Sequence, residues 1–265
     1  MKLAVPGGEL YYEVDGEGPA VVLLHAGVAN SRMWDAQVDV WRDRFRVIRY
    51  DQRGLGRTTI EDVPFSNRDD IRRLLDHLDV KQASLVGNSR GGQIAIDFTL
   101  EQPDRVAALV PVGSGLGGLD GPDDGIDWDA MEELWKSKQW DELVEREVRI
   151  WTDGIGQPAD RVAPDVRRHM VEWGLENYRA EQTAEKAQPL DPPAAGRLAE
   201  FSVPTLVIWG DLDAPSVVAA SQKLAAEVAG ARSHEFSGVA HMVSLERPAE
   251  FNSLVGEFLA QVVTG

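Results

Sequence analysis

The sequence predicts an α/β fold with a mostly parallel central sheet, helices on both faces and an all-helical insertion. Two observations support this prediction. Short, unbroken apolar runs alternate with helical segments through the first half of the chain, and the same alternation resumes near the C-terminus. Between these parts, over residues 115–196, the strand pattern disappears. Unbroken apolar runs are typical of strands buried on both faces, and their alternation with helices favours a parallel sheet.

The strand candidates are short apolar segments such as AVVLL and TLVIWG, bounded by turn-forming residues. They are residues 10–14, 20–24, 45–50, 83–87, 106–112, 205–210 and 232–236. A helix is predicted over 67–78, because apolar residues recur there at helical spacing and charged residues fill the other face. These apolar residues are Ile71, Leu74, Leu75 and Leu78. A second helix is expected from Gln93 to the turn at Pro103, and a third near 216–228.

The middle of the chain predicts a helical cap inserted into the α/β core. Helical segments are expected around 128–138, 140–152 and 160–180, between borders rich in Gly, Pro and Asp. The expected core domain comprises residues 1–114 and 197–265, and the cap comprises 115–196. Five of the eight tryptophans lie in the cap, at positions 128, 135, 140, 151 and 173. Packing within the helical layer explains such residues most simply, and lining a substrate pocket is the alternative.

Composition excludes several classes of protein. Among 265 residues, 27 Lys and Arg face 44 Asp and Glu, which gives a net charge of −17. This charge would repel nucleic acid and anionic membranes. The chain has no cysteine, so disulfides, thiolate metal ligands and a cysteine nucleophile are excluded. No apolar run approaches the roughly 18 residues of a membrane helix. We expect a cytoplasmic monomer or homodimer that acts on a small molecule without metal or cofactor.

The segment SLVGNSRGG at 84–92 carries the strongest functional signal. It places Gly-x-Ser-x-Gly, with Ser89 at its centre, between a strand and a helix. A nucleophile on such a sharp turn needs a strained backbone, and larger side chains at the flanking glycines would collide with neighbouring elements. The following helix N-terminus favours the negative charge that develops in acyl transfer. Ser89 is therefore the candidate nucleophile.

A serine nucleophile needs a general base and a carboxylate that orients it. His241 follows the last strand candidate in a glycine-containing loop, whereas the other four histidines are better explained structurally. Asp211 and Asp213 both follow the strand at 205–210, at the edge where active sites of parallel sheets collect. We prefer Asp213, because Asp211 is well placed to bind turn amides; Asp211 stays the alternative. The resulting order is Ser, Asp, His.

With these motifs the chain resembles the α/β-hydrolase superfamily over essentially its whole length. LLHAGVANSRMW at 23–34 is similar to the family's oxyanion loop, and YDQRGLGRT at 50–58 is similar to its Asp-x-Arg-Gly-x-Gly-x-Ser/Thr loop. The resemblance implies that the backbone N–H groups of Gly27 and Arg90 form the oxyanion hole. Ala26 stands where the family usually has glycine, which affects how the loop turns and keeps the main-chain donor.

The same resemblance implies that Ser89, His241 and Asp213 form a catalytic triad beneath the cap. The candidate substrate-binding residues are Val28, Trp135, Trp151 and Met242. Haloalkane dehalogenases and epoxide hydrolases of this fold have an aspartate nucleophile, which Ser89 excludes. The loop at 25–30 does not match the longer His-Gly-x-Gly-Pro-Gly loop of meta-cleavage C–C hydrolases.

The sequence looks closest to the branch of esterases and 3-oxoadipate enol-lactonases. We therefore expect a serine hydrolase of a small carboxylic ester or lactone. One alternative is a small-molecule sensor or receptor on a hydrolase scaffold, with slow turnover. Another is cofactor-free activity of the haloperoxidase or perhydrolase type. Resemblance of fold does not determine the substrate.

Overall fold

The computed structural model describes residues 1–180 and 186–264, and a single mixed sheet forms its centre. The strands are β1 (Lys2–Val5), β2 (Gly8–Asp15), β3 (Ala20–Leu24), β4 (Arg46–Tyr50), β5 (Thr59–Ile60), β6 (Ala83–Asn88), β7 (Val106–Val112), β8 (Leu206–Gly210) and β9 (Arg232–Phe236). Their order is β1-β2-β4-β3-β6-β7-β8-β9, with β5 beside β2. The pairs from β4 to β9 are parallel, and the pairs made by β2 are antiparallel.

The register of the parallel strands brings their carboxyl ends to one edge. Leu24 of β3 lies opposite Gly87 of β6, and Asn88 of β6 lies opposite Val112 of β7. Farther along the sheet, Gly210 of β8 lies opposite Phe236 of β9. The loops that follow these strands therefore start side by side, although they are far apart in sequence.

Helices cover both faces of the sheet. They are α1 (Asp35–Trp41), α2 (Asn67–His77), α3 (Arg90–Glu101), α4 (Trp128–Lys136), α5 (Trp140–Val148), α6 (Pro164–Arg179), α7 (Pro215–Glu227), α8 (Val243–Glu246) and α9 (Pro248–Thr264). Successive strand residues point to opposite faces, so Val21 and Leu23 pack with α1 and α9, whereas Val22 and Leu24 pack with α2, α3 and α7. Because both faces are buried, β3 and β8 consist of apolar residues and glycine along their whole length.

The predicted α/β fold is confirmed, with some differences in its elements. Each strand candidate corresponds to an observed strand, and the helix predicted over 67–78 is α2. The segment predicted as one helix over 140–152 is instead α5 followed by a π-helical turn, Arg149–Asp153. The sequence reading did not identify β1, β5, α1 or α9.

Three helices, α4, α5 and α6, lie between β7 and β8 in the region expected to form the cap. Side chains of α5 and α6 join the hydrophobic cluster that α1 and α9 form on one face of the sheet. They are Val144, Val148, Met170 and Trp173. The helical layer therefore shares a core with the sheet domain.

Across residues 1–180 and 186–264, no helix is both long and apolar enough to cross a membrane.

The α1–α9 contact gives a test of the packing. Phe251 is fully buried, and its ring lies 6.1 Å from the ring of Trp41 and 6.2 Å from that of Trp34. Phe251→Ala should lower the free energy of unfolding by about 3–5 kcal/mol, because it removes buried area and leaves a cavity. Val40→Ala, on the exposed side of α1, should change it by less than about 0.5 kcal/mol. Urea unfolding of the two variants measures this difference, and equal values would contradict the packing.

Candidate active site

The junction of β6 and α3 holds Ser89 in an unusual backbone conformation. Its φ of 56° and ψ of −121° lie in a region that residues other than glycine rarely adopt. The Ser89 N–H donates to the carbonyl of Val112 at 2.8 Å, and the Ser89 carbonyl accepts from Gln93 N–H at 3.0 Å. A Cβ atom at Gly91 would lie 2.3 Å from the carbonyl oxygen of Leu24, and one at Gly87 would lie 2.4 Å from that of Gly91. The two glycines therefore let the turn pack against β3.

His241 and Asp213 form a buried hydrogen-bonded pair beside this turn. The His241 Nδ1 lies 2.8 Å and 2.9 Å from the two carboxylate oxygens of Asp213. The carboxylate also accepts from the N–H of Ala214 at 2.7 Å. Asn88 Nδ2 donates to the His241 carbonyl at 3.4 Å, which ties the loop of His241 to the residue before Ser89. The structure thus brings all three candidate triad residues to the carboxyl edge of the sheet.

Asp211 occupies a different position from Asp213. Its carboxylate accepts from Gly238 N–H at 2.7 Å and from Ser237 Oγ at 3.0 Å, in the turn after β9. The Leu212 N–H donates to the Val239 carbonyl at 2.9 Å. These bonds join the loop after β8 to the loop that carries His241. The geometry accordingly favours Asp213 as the partner of the imidazole.

The loop after β3 places Gly27 against Arg90. A Cβ atom at Gly27 would lie 3.5 Å from Arg90 Cδ and 3.6 Å from Arg90 Cβ. The backbone N–H groups of Gly27 and Arg90 have no hydrogen-bond acceptor within residues 1–180 and 186–264. Two free amides beside Ser89 are the donors that an oxyanion requires. Ala26 stands where the resembling family usually has glycine. It is fully buried, and its carbonyl accepts from Ala29 N–H at 3.1 Å in a tight turn.

Buried side chains hold this loop in place. His25 is fully buried; its Nδ1 lies 2.8 Å from the Ala26 carbonyl, and its Nε2 accepts from Gln52 N–H at 2.8 Å. Burial lowers the pKa of His25 and keeps the ring neutral. The Asp51 carboxylate accepts from Ser31 N–H at 2.8 Å. His25 and Asp51 therefore join the loop after β3 to the loop after β4.

A cavity of about 830 Å³ lies between α3, these loops and the helical layer. Gly27 and Arg90, the residues with free amides, line it at one end. Farther along α3, Asp97 lines it as well, and burial raises the pKa of this carboxyl group to about 6. Gly27 and Arg90 line the cavity, whereas Ser89 and His241 are not among the described residues that line it.

The candidate substrate-binding residues occupy different positions. Val28 and Trp135 line the cavity. Trp151, in the π-helical turn, packs on His241 instead, with a distance of 4.7 Å between ring centroids. Met242 is fully buried in the hydrophobic cluster and lies outside the cavity wall. Among residues 1–180 and 186–264, no group of three or more His, Asp or Glu side chains could hold a metal ion.

Three residues that the sequence reading missed support the site. Asn177 of α6 donates to the Ala29 carbonyl at 3.0 Å and accepts from Gly56 N–H at 2.9 Å, so it bridges two loops. Arg161 donates to the Gly238 carbonyl at 2.9 Å and tethers the loop of His241. Gly113, directly after β7, lies beside the Asp213–His241 pair. Their partners are distant in sequence, and no local motif identifies them.

Comparison with known proteins places the chain among hydrolases. The model of the alpha/beta hydrolase family matches residues 21–254. The 2-hydroxy-6-oxononadienedioate/2-hydroxy-6-oxononatrienedioate hydrolase of Paraburkholderia xenovorans (strain LB400) is 30% identical, over 95% of this chain and 91% of that protein. The crystal structure of the enol-lactonase from Burkholderia xenovorans LB400 has a TM-score of 0.81 and 26% identity, over 98% of this chain and all of that chain. A thermophilic esterase from Thermogutta terrifontis has a TM-score of 0.82 and 25% identity, over 98% and 97% of the chains.

Gly113 allows a test of the site geometry that needs no substrate. It has φ +49°, and a Cβ there would lie 3.0 Å from Asp213 Oδ2 and 3.3 Å from His241 Nδ1. Gly230 also has a positive φ, +72°, but nothing lies within 4 Å of its Cβ position. Gly113→Ala should therefore destabilise the protein more than Gly230→Ala, which carries only the backbone cost of about 1–2 kcal/mol.

Gly113→Ala should also shift or broaden the downfield proton resonance of His241 Nδ1–H, whereas Gly230→Ala should leave it in place. Urea unfolding and proton NMR measure the two effects. An unchanged resonance in Gly113→Ala would show that this residue does not border the pair.

Proposed function

Because the chain belongs to the alpha/beta hydrolase family, we propose that it hydrolyses a small carboxylic ester or lactone through an acyl-enzyme intermediate. In this proposal Ser89 is the nucleophile, His241 the general base and Asp213 the orienting carboxylate. One observation carries it: the Asp213–His241 hydrogen bond lies at the sheet edge where Ser89 occupies its strained turn. The hydrolase relatives support the reaction class, and the enol-lactonase and esterase neighbours support ester and lactone substrates.

The first half-reaction acylates Ser89. Hydrogen bonding of His241 Nδ1–H to Asp213 leaves Nε2 unprotonated, so that Nε2 can accept the Ser89 proton. The serine oxygen then attacks the substrate carbonyl carbon, and the carbonyl oxygen gains negative charge. The free N–H groups of Gly27 and Arg90 stabilise that oxyanion, while Asp213 stabilises the imidazolium.

Collapse of the tetrahedral intermediate completes the acylation. The bond to the leaving oxygen breaks, and His241 gives this oxygen its proton. An ester loses its alcohol at this step, whereas an opened lactone keeps the new hydroxyl on its acyl chain. In the second half-reaction His241 takes a proton from water, whose oxygen attacks the acyl carbon. The bond between this carbon and the Ser89 oxygen then breaks, His241 returns the proton to Ser89, and the acid is released.

The helical layer is the proposed cap, residues 115–196, and we propose that it limits the size of the substrate. Val28 and Trp135 give apolar walls to a cavity of about 830 Å³, which accepts a small acyl group or ring. Trp151 is proposed to restrict access to the imidazole, because its ring packs on His241. Exclusion of water by such residues strengthens the electrostatic interactions within the site.

Hydrolysis of a 2-hydroxy-6-oxo-dienoate is the second candidate, and the names of the curated relatives favour it. The loop at 25–30 argues against it, because this loop lacks the longer His-Gly-x-Gly-Pro-Gly pattern expected of C–C hydrolases. Loss of the conjugated chromophore of 2-hydroxy-6-oxo-6-phenylhexa-2,4-dienoate would report that reaction directly. Faster turnover of this compound than of every ester and lactone in a panel would establish the second candidate in place of the first.

Ser89→Ala should reduce kcat for ester or lactone hydrolysis by a factor on the order of 10⁶, because it removes the nucleophile. Short p-nitrophenyl esters and a panel of lactones provide the assay, with unfolding curves as the control for an intact fold. A phosphonate inhibitor should label Ser89 in the parent protein. Retention of most activity by Ser89→Ala, or labelling of another serine, would contradict the acyl-enzyme mechanism.

The two aspartates after β8 provide a matched pair of variants. Asp213→Asn should lower kcat by roughly 10³ to 10⁴, because the amide favours the wrong imidazole tautomer. Asp211→Asn should retain more activity, since its carboxylate binds the turn at Ser237 and Gly238. The same ester assay compares the variants. A larger loss in Asp211→Asn would show that the orienting carboxylate is misassigned.

A further inference from the structure

Among the residues that the structure describes, the side chain of Arg90 has no partner of opposite charge. Its guanidinium makes no hydrogen bond and no ion pair within residues 1–180 and 186–264. Burial lowers the pKa of Arg90, and the phenol of Tyr50 is the one titratable group that opposes this shift. Tyr50 is itself fully buried and uncharged, because burial raises its pKa. A guanidinium stays charged in proteins, so a positive charge remains uncompensated at this position.

Arg90 lies at the border between the cavity and the reacting atoms. It directly follows Ser89, it lines the cavity, and its Cδ approaches Gly27. A ligand group at this guanidinium would therefore lie close to an acyl group bound at Ser89. One turn along α3, Gln93 also lines the cavity and offers an amide on the same helix face.

Three other cations in the cavity wall have anionic partners. Arg53 forms a buried bidentate pair with Asp70, at 2.6 Å and 2.7 Å. Arg68 pairs with Glu101 at 3.2 Å. Lys136 pairs with Glu132 at 2.6 Å on the exposed surface of α4. Arg90 is thus distinguished from these three cations by its lack of a counter-ion, although the chain as a whole carries a net charge of −17.

We propose that the Arg90 side chain binds a carboxylate on the acyl part of the substrate, so that the protein prefers esters or lactones that carry a free acid group. This inference rests on the proposed function, because it places the acid group relative to an acyl group at Ser89. An unpaired charge that is partly buried loses some of its hydration, and a ligand anion would compensate for that loss. The planar guanidinium matches the two oxygens of a carboxylate.

Asp97 limits how far along the cavity an acid group of the substrate can lie. Asp97 lies on α3 seven residues after Arg90, about 10 Å farther along the helix axis. Burial raises the pKa of this carboxyl group to about 6. An acid group on the substrate that reached this far would meet a second carboxyl group, whereas near Arg90 it meets the guanidinium. The substrate acid group should therefore lie near Arg90, separated from the scissile carbonyl by a short carbon chain.

A matched pair of substrates tests this inference. Monoethyl glutarate carries the acid group, and ethyl glutaramate replaces it by a neutral amide of nearly the same shape. Proton release in a pH-stat gives kcat/KM for each, and the ratio of the two values isolates recognition of the charge. Changes that Arg90 variants cause in the oxyanion loop affect both substrates and cancel in this ratio. The variants are Arg90→Met, Arg90→Lys and the control Lys136→Met.

The parent should prefer monoethyl glutarate, and Arg90→Met should lower the ratio by about 30-fold, the size expected for hydrogen bonds to a charged group. Arg90→Lys should give an intermediate ratio, because it keeps the charge and loses the planar fork. Lys136→Met should change the ratio by less than about fivefold, since its charge is exposed. A ratio that is equal in the parent and Arg90→Met, or a parent preference for the amide, would overturn the inference.

Binding of glutarate separates this inference from the proposed function. Calorimetry on the parent and on Arg90→Met needs no turnover, and the affinity for glutarate should fall in the variant by a factor similar to that of the ratio. Ser89-dependent ester hydrolysis without any effect of Arg90 on glutarate would disprove the inference alone. Arg90-dependent glutarate binding without hydrolysis of any ester would disprove the proposed function and keep the anion site.

Discussion

The strained backbone of Ser89 is the constraint on which the rest of the structure depends. A non-glycine residue in this region costs about 1–3 kcal/mol, so the surroundings must hold it. They do so because β6 is buried along its whole length between β3 and β7, and the Ser89 N–H bonds to the end of β7. Gly91 permits the close approach of α3 to β3. The turn at Ser89 thus requires parallel strands with both faces buried, and small residues where the helix meets the sheet. The same parallel strands bring the loops carrying Gly27, Asp213 and His241 to one edge of the sheet.

The helical layer holds loops of the candidate site in place through hydrogen bonds and an ion pair. Its α6 helix supplies Asn177, which bridges the loops after β3 and β4, and Arg161 holds the loop of His241 through the Gly238 carbonyl and the carboxylate of Glu246. The bonds of Asn177 and the Arg161–Glu246 pair are at least partly buried, so displacement of the layer would leave these donors and acceptors unpaired. The position of the free amides and of the imidazole is therefore coupled to the seating of these helices. In this arrangement, opening the layer would also disturb the groups proposed for catalysis.

Sequence reasoning succeeded where the signal was local. Central strands such as β3 and β8 are apolar throughout because both of their faces are covered, and Ser89 lies in a motif of adjacent residues. It failed for β5, which has two residues and no periodicity, and for the break between α5 and the π-helical turn. The contacts of Asn177 reach residues 121 and 148 positions away, so only the folded chain reveals them. The roles of Ser89, Asp213 and His241 come from the motif and the chain order, and they stay predictions.

The contrast between the whole chain and the site shows why net charge is a poor guide to the charge of a ligand. Interactions among exposed charges are screened over about 8–10 Å in physiological salt, so the surface carboxylates act weakly on a group inside the cavity. A partly buried guanidinium is screened less, so it interacts more strongly with a ligand group than an exposed cation does. Among the residues that the structure describes, Arg90 lines the cavity and no carboxylate pairs with its guanidinium, so it contributes a positive field there. The turn that positions Ser89 positions this charge too, so the backbone of one turn links the proposed nucleophile to the proposed anion site.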